Sequence, residues 1–366
     1  MRNIKGSLVW LSVFLFASGA ISAPTLWRLD VRKQVVPFEQ WDFVASAALP
    51  AWITSSGATN GTRINSSGVI VAGTSPRFDY NGALLTGNGM LVEPANTNLA
   101  LQSNSLANAS WTVLNAALST DSTTAPDGTT AEKLTSASGA NIHRISSTLQ
   151  VTVITGSVYT ESWFVKAGTY NYPSIALYST QNNWLGAVFD LSSSANVAAS
   201  QTAVGATTGT ILATNQVNMG GGWFKISVTG FLTGTVASSI LQFASGATGN
   251  SFGTFGSLTT TMAGTESLYA ALVQFELGPV ASSVVKTTSG STTQTADVPT
   301  IPAQSASGPT LLEIKDEATG VVSRIGYAPG LFVWPATGIW ARKIAVYPTG
   351  TPMSYVNSHL GVGSGF

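Results

Sequence analysis

The chain has 366 residues, with 16 basic and 16 acidic side chains, zero net charge and only 9% charged residues. That balance gives nucleic-acid or anionic-membrane binding no long-range electrostatic help, and the absence of cysteine excludes disulfides and thiol chemistry. With 44% hydrophobic residues there is enough apolar surface for a core, so the 37 glycines and abundant Ser, Thr and Asn read as turns and polar loops of a folded β protein.

Taken in order, the chain starts with Arg2 and Lys5 ahead of an apolar run over 8–17, then small residues with Ala20 and Ser22 at −3 and −1 relative to Ala23. Residues 1–22 therefore read as a secretory signal-peptide-like segment, with a retained hydrophobic tail docked into a larger assembly as the alternative. Residues 23–95 read as an N-terminal attachment and turn-rich region. Trp27, Phe38, Trp41 and Phe43 give it apolar weight without regular spacing, and Asn60-Gly61, Asn81-Gly82 and Asn88-Gly89 are dipeptides that close hairpins.

The middle of the chain is built from short runs rich in β-branched and aromatic residues, such as VYTESWFVKAG (158–168), WLGAVFDL (184–191), GGWFKISVTGFL (221–232) and ESLYAALVQFELG (266–278). Gly, Pro or Asn bounds each run, which predicts an all-β antiparallel β-sandwich over 96–284 with one wet face. Alternation assigns Trp163, Val165, Ile175, Leu177, Phe189, Phe224, Ile226, Val228, Tyr269 and Phe275 to the core. The Ala/Gly/Ser/Thr tracts at 192–222 and 245–264 read as surface loops or weak edge strands, and Gly220-Gly221-Gly222 as a tight turn rather than a phosphate loop. Residues 285–307 read as a polar linker. Residues 308–366 read as a small β-rich C-terminal extension, too short to hold a core alone, that docks on the sandwich or trimerises.

An ordered series of motifs carries a resemblance to a known family. It comprises Thr62-Arg63-Ile64-Asn65, Ser75-Pro76-Arg77-Phe78-Asp79-Tyr80, Gly89-Met90-Leu91-Val92-Glu93-Pro94-Ala95-Asn96-Thr97-Asn98-Leu99, Asn108-Ala109-Ser110-Trp111-Thr112 and Ala125-Pro126-Asp127-Gly128-Thr129-Thr130. Over residues 62–298 this resembles a phage structural-protein family of tail fibres and head spikes, although Asn96 stands where that family usually has Arg. The resemblance implies a jelly roll like that of carbohydrate-binding modules.

Catalytic constellations are sparse. The two histidines, His143 and His359, have no His or Cys partner at metal-ligand spacing, so no metal site is expected, and His143 reads as an exposed strand or loop residue. No cofactor is expected either; a structural calcium is left open, although no dense Asp/Asn loop is present. A glycosidase needs two carboxyls flanking a groove, and the candidates are Glu161, Asp190 and Glu276. Glu161 shares the inward alternation of Trp163 and so needs a partner, while Asp190 reads as a turn cap. Aromatic residues remain. Phe164, Trp223, Lys225 and Gln274, with Tyr178, fall on the non-core alternation and form a candidate glycan face, because sugar C–H groups stack on rings while hydroxyls need donors and acceptors. Tyr170, Tyr172, Asn183 and Trp184 form an alternative loop site.

These readings converge on a non-enzymatic phage fibre, spike or decoration protein at the virion surface. Its expected partners are other virion proteins, cell-surface glycans and copies of itself, with a trimer favoured, and no nucleic acid. A secreted carbohydrate-binding module is the alternative, and a glycan depolymerase ranks below both for want of an acid pair.

Overall fold

A computed structural model describes residues 39–180, 182–205, 209–300, 308–316, 321–328 and 338–347; the signal-like segment and His359 lie outside them. The strands begin with β1 (Glu39–Asp42), β2 (Thr54–Gly57), β3 (Thr62–Ile64), β4 (Ile70–Ala72), β5 (Arg77–Tyr80), β6 (Gly87–Val92) and β7 (Asn96–Asn98). Then come β8 (Trp111–Leu114), β9 (Ala116–Thr124), β10 (Thr130–Ser136), β11 (Ser138–Ile142), β12 (Arg144–Ser147) and β13 (Val151–Thr152). The middle supplies β14 (Ser157–Ala167), β15 (Pro173–Thr180), β16 (Asn183–Val188), β17 (Gln201–Val204), β18 (Thr210–Gly220), β19 (Trp223–Leu232) and β20 (Val236–Phe243). Last are β21 (Thr259–Ala263), β22 (Ser267–Leu277), β23 (Thr292–Gln294), β24 (Asp297–Thr300), β25 (Thr310–Asp316), β26 (Val322–Tyr327) and β27 (Ile339–Val346).

Two antiparallel sheets face each other, one ordered β18-β19-β14-β22-β10-β9 and the other β17-β16-β15-β20-β12-β8, with β13 beside β20. Their inner faces share one core, in which Trp163, Val165, Ile175, Leu177, Phe189, Phe224, Ile226, Val228 and Phe275 are all buried. The period-two pattern therefore translates directly into packing along β14, β15 and β19. Tyr269 departs from it. Leu272 adopts φ 49, and the pairing of β14 with β22 shifts between Ser162 and Phe164, so β22 carries one extra residue there. Beyond this bulge the phase flips: Leu268 and Ala270 point inward, while Tyr269 and Leu272 join the cluster on the outer face. The glycine-rich segment after β18 is a tight turn as expected, with Gly220, Gly221 and Gly222 all at positive φ.

A third sheet, ordered β26-β25-β27-β6-β5 with β1 paired to β27, joins the two ends of the described chain. Neither end has enough apolar surface to close a core alone. Together Phe43, Phe78, Met90, Val92, Leu312 and Ile344 make one. Asn88-Gly89 is not the hairpin turn its sequence suggests. It lies inside β6, where Gly89 (φ +125) is required because an added Cβ would sit 2.2 Å from the Ala341 carbonyl oxygen. The stretch read as a linker is also corrected, since β23 pairs with β7 and β24 with β2, so residues 292–294 and 297–300 are paired strand rather than free tether.

The motif residues Arg77 and Glu93 meet at this junction. The Arg77 guanidinium, fully buried, ion-pairs with Glu93 (2.6 Å) and with Asp297, and donates to the Thr62 carbonyl (2.8 Å) and Ser283 Oγ (2.7 Å). Burial alone would lower the Arg77 pKa, but Glu93 and Asp297 outweigh it and hold the group charged. Burial likewise opposes ionisation of Glu93, yet Arg77 and the Ser283 hydrogen bonds keep its carboxyl below the usual range. One cation thus ties β3, β5, β6, β24 and the 280–285 segment together.

Candidate functional site

The candidate glycan face is assembled as alternation expects, but protein covers most of it. Phe164 pairs with Lys225, Trp223 with Lys166 and Gln274 with Ser162, so Phe164, Trp223, Lys225 and Gln274 share one sheet face. Yet Phe164, Trp223 and Gln274 are only 1%, 4% and 1% exposed. Ile70, Ala125, Met219 and Val284 pack over the rings, Trp223 Nε1 donates to the Thr124 carbonyl (3.0 Å), and Gln274 donates to Glu276 (2.8 Å) and Ser282 (2.9 Å). The wet-face expectation is therefore corrected for these three residues: segments distant in sequence form a second layer over them. Tyr178 lies on the other sheet, edge-on to Phe255 at 5.3 Å.

The alternative loop residues are mainly packing residues. Trp184 is buried and stacks on Phe252 at 5.4 Å. Tyr170 sets its ring against Tyr172 and Phe243 while its hydroxyl donates to the Ala244 carbonyl. Tyr172 packs with Val188, Ala244 and Leu258, and Asn183 is buried at the start of β16.

Beside the covered face, an open cleft runs between β18 of the sandwich and the third sheet. Its outer part, about 340 Å³, is lined by Asp79, Asn81, Asn88, Asn215, Asn218 and Trp340, with Lys315 at the side. Asp79, Asn215 and Trp340 continue into an inner cavity of about 150 Å³ with a floor of Phe164, Val217, Met219 and Val284. Phe164 and Lys225 of the expected face thus do reach a cavity, from below.

The cleft's side chains are fixed from behind. Asp79 Oδ2 accepts from Trp340 Nε1 (2.8 Å) and Asn88 Nδ2 (3.3 Å), and Oδ1 accepts from the Ile64 backbone N–H (2.6 Å). Burial pushes the Asp79 carboxyl up to about 6 despite these donors. Lys315 donates to Asn88 Oδ1 (3.0 Å) and sits 4.9 Å from the centre of the Trp340 ring. Lys225 donates to the carbonyls of Ala281 (2.7 Å) and Ser282 (2.6 Å), which leaves its third N–H uncommitted. The Asn215 amide and the Ser227 hydroxyl line the inner cavity and have no side-chain hydrogen bond to other described residues. The result is a held indole, an apolar floor, and amide, hydroxyl and ammonium groups with spare hydrogen-bonding capacity.

The sequence did not single out Asp79, Asn215, Lys315 or Trp340 as a site. Asp79 lies in a recognisable motif, but its partner Trp340 is 261 residues away, and no local pattern links the two.

The candidate carboxyls for hydrolysis do not converge. Asp190 caps the following turn, accepting from the Ser192 N–H (2.9 Å) and hydroxyl (2.6 Å). Glu276 is buried against Gln274 and Ser282, and burial raises its carboxyl to about 7. His143 is not exposed as expected; it is fully buried, its Nδ1 facing the Asn115 carbonyl (2.7 Å) and its Nε2 those of Gly139 and Thr260. Among the described residues no group of three or more His, Cys, Asp or Glu could hold a metal ion.

Glu161 points into the sandwich core as alternation requires, and its partner is the Trp163 indole N–H at 2.7 Å. Desolvation lifts its carboxyl from 4.5 to about 8, so the folded state keeps its proton while the unfolded chain ionises. The stability contributed by the neutral form is complete below the unfolded value of 4.5 and is lost as pH rises towards 8. Glu161→Gln, neutral at every pH, should match the wild type in urea unfolding at pH 4.5 and exceed it by about 2 kcal/mol or more at pH 8. A stability difference independent of pH would contradict this placement of Glu161.

No protein-family model matches the chain, and no curated protein matches it. Among solved structures it is similar to a proposed sugar binding protein from Bacteroides thetaiotaomicron, with TM-score 0.28 and 9% identity over 49% of this chain and 100% of that one. A likeness this slight carries no argument about fold or function.

Proposed function

We propose that the protein is a non-enzymatic, carbohydrate-binding surface protein of a phage particle, and that the cleft beside Trp340 is its binding site. The observation that carries the binding role is the pairing of a rigidly held, partly buried indole with uncommitted polar groups in one cleft. A saccharide presents an apolar C–H face and a rim of hydroxyls, and this arrangement offers a partner to each. Binding rather than hydrolysis is favoured because, among the described residues, Asp79 is the one carboxyl lining the cleft and its oxygens already accept three N–H groups. The phage assignment rests on the ordered motif series, whose Arg77 and Glu93 build the buried junction and whose Asp79 lines the cleft. With it come a jelly-roll reading of the sandwich, other virion proteins as partners, a trimeric assembly and a place at the virion surface.

Glycan-array profiling followed by titration calorimetry tests the binding role. Trp340→Ala should weaken the best array ligand by about 2 kcal/mol, roughly thirtyfold, the usual cost of truncating a central stacking ring. Unchanged affinity in a folded variant would remove Trp340, and with it this cleft, from the account.

A further inference from the structure

The cleft is unbalanced in charge, and that imbalance indicates the kind of glycan it fits. Arg63 and Lys225 line the inner cavity and Lys315 the outer part. None of the three ion-pairs with a carboxylate among the described residues: Arg63 donates to the Phe78 carbonyl (3.3 Å), Lys225 to two backbone carbonyls and Lys315 to an amide oxygen. The facing carboxyl, Asp79, accepts N–H donors from Ile64, Asn88 and Trp340. Three half-buried cations face one lining carboxyl among the described residues; Asp79 offsets part of the Lys315 charge and the buried Glu276 part of that of Lys225, and the surplus favours an incoming anion, an attraction that low-dielectric walls strengthen.

We propose that the ligand is an anionic glycan whose acidic substituent, carboxylate or sulfate, enters the cleft and pairs with Lys315, Lys225 and Arg63. This rests on the cleft being a glycan site and adds the charge class of its ligand. Lys315 holds its ammonium over the Trp340 ring, so an acid group brought to the indole meets a cation there. Lys225 would use the N–H left over from its two carbonyl bonds.

The test is an array of matched neutral, uronate-bearing and sulfated oligosaccharides, read at low and high salt with wild type, Lys315→Met, Lys225→Met and Trp340→Ala. Lys133→Met, on β10 outside the cleft, is the charge-matched control, and thermal melting checks each fold. The expected result is that acidic probes bind wild type about tenfold or more tighter than their neutral counterparts. That preference should shrink at high salt and in Lys315→Met or Lys225→Met, and persist in Lys133→Met. The arm that binds, uronate or sulfate, identifies the acid. Equal binding of neutral and acidic probes, insensitive to salt, overturns the charge inference while leaving the glycan site in place. Binding of no probe, or binding indifferent to Trp340→Ala, overturns both.

Discussion

Arg77→Ala is expected to destabilise the protein by about 3–5 kcal/mol, the usual cost of removing one member of a buried ion pair. The guanidinium is fully buried between Glu93 and Asp297, and its loss leaves two carboxylates facing each other without a counter-charge. The Thr62 carbonyl and Ser283 hydroxyl lose a donor at the same time. Arg77→Lys should recover only part of the loss, because an ammonium is a compact point charge and cannot present the planar fork that spans both carboxylates. Urea unfolding measures both variants. A change below about 1 kcal/mol for Arg77→Ala, ordinary for a surface site, would show that the junction does not depend on this cation.

Trp223→Ala should also cost about 3–5 kcal/mol, as a truncated buried aromatic does. Its ring lies under Ile70, Ala125 and Val284 and its N–H is bonded to Thr124, so the substitution opens a void and strands a carbonyl. The residual folded protein should bind glycan as the wild type does, since Trp223 does not line the cleft. The opposite pattern, unchanged melting with lost binding, would restore Trp223 to an exposed sugar-binding face.

These two residues mark where the sequence could and could not be read. Alternation identifies the strand face of Trp223, Phe164 and Gln274, because side chains in a strand must point to opposite sides. It cannot show what lies above that face. The cover comes from Ile70, Ala125, Met219 and Val284, brought in from separate parts of the chain by contacts that no local pattern encodes. Tyr269 fails for a different reason: the bulge at Leu272 has no glycine to mark it, so the phase change is silent. Glu161 was legible as an inward carboxylate, although its indole partner was not identified. Arg77 and Glu93 were visible as motif residues, but their meeting with Asp297 spans 220 residues of sequence. Asp79 and Trp340 escaped notice as a pair for the same reason.

The central claim is that the cleft between β18 and the third sheet binds glycan. Hydrogen–deuterium exchange of the protein saturated with its best array ligand tests it most directly. Protection should appear together in peptides covering 77–92, 214–219, 310–316 and 338–342, four of the segments whose side chains line the cleft. Protection confined to the 245–258 loop and the outer face of β15 and β16, with those four segments unchanged, would contradict it.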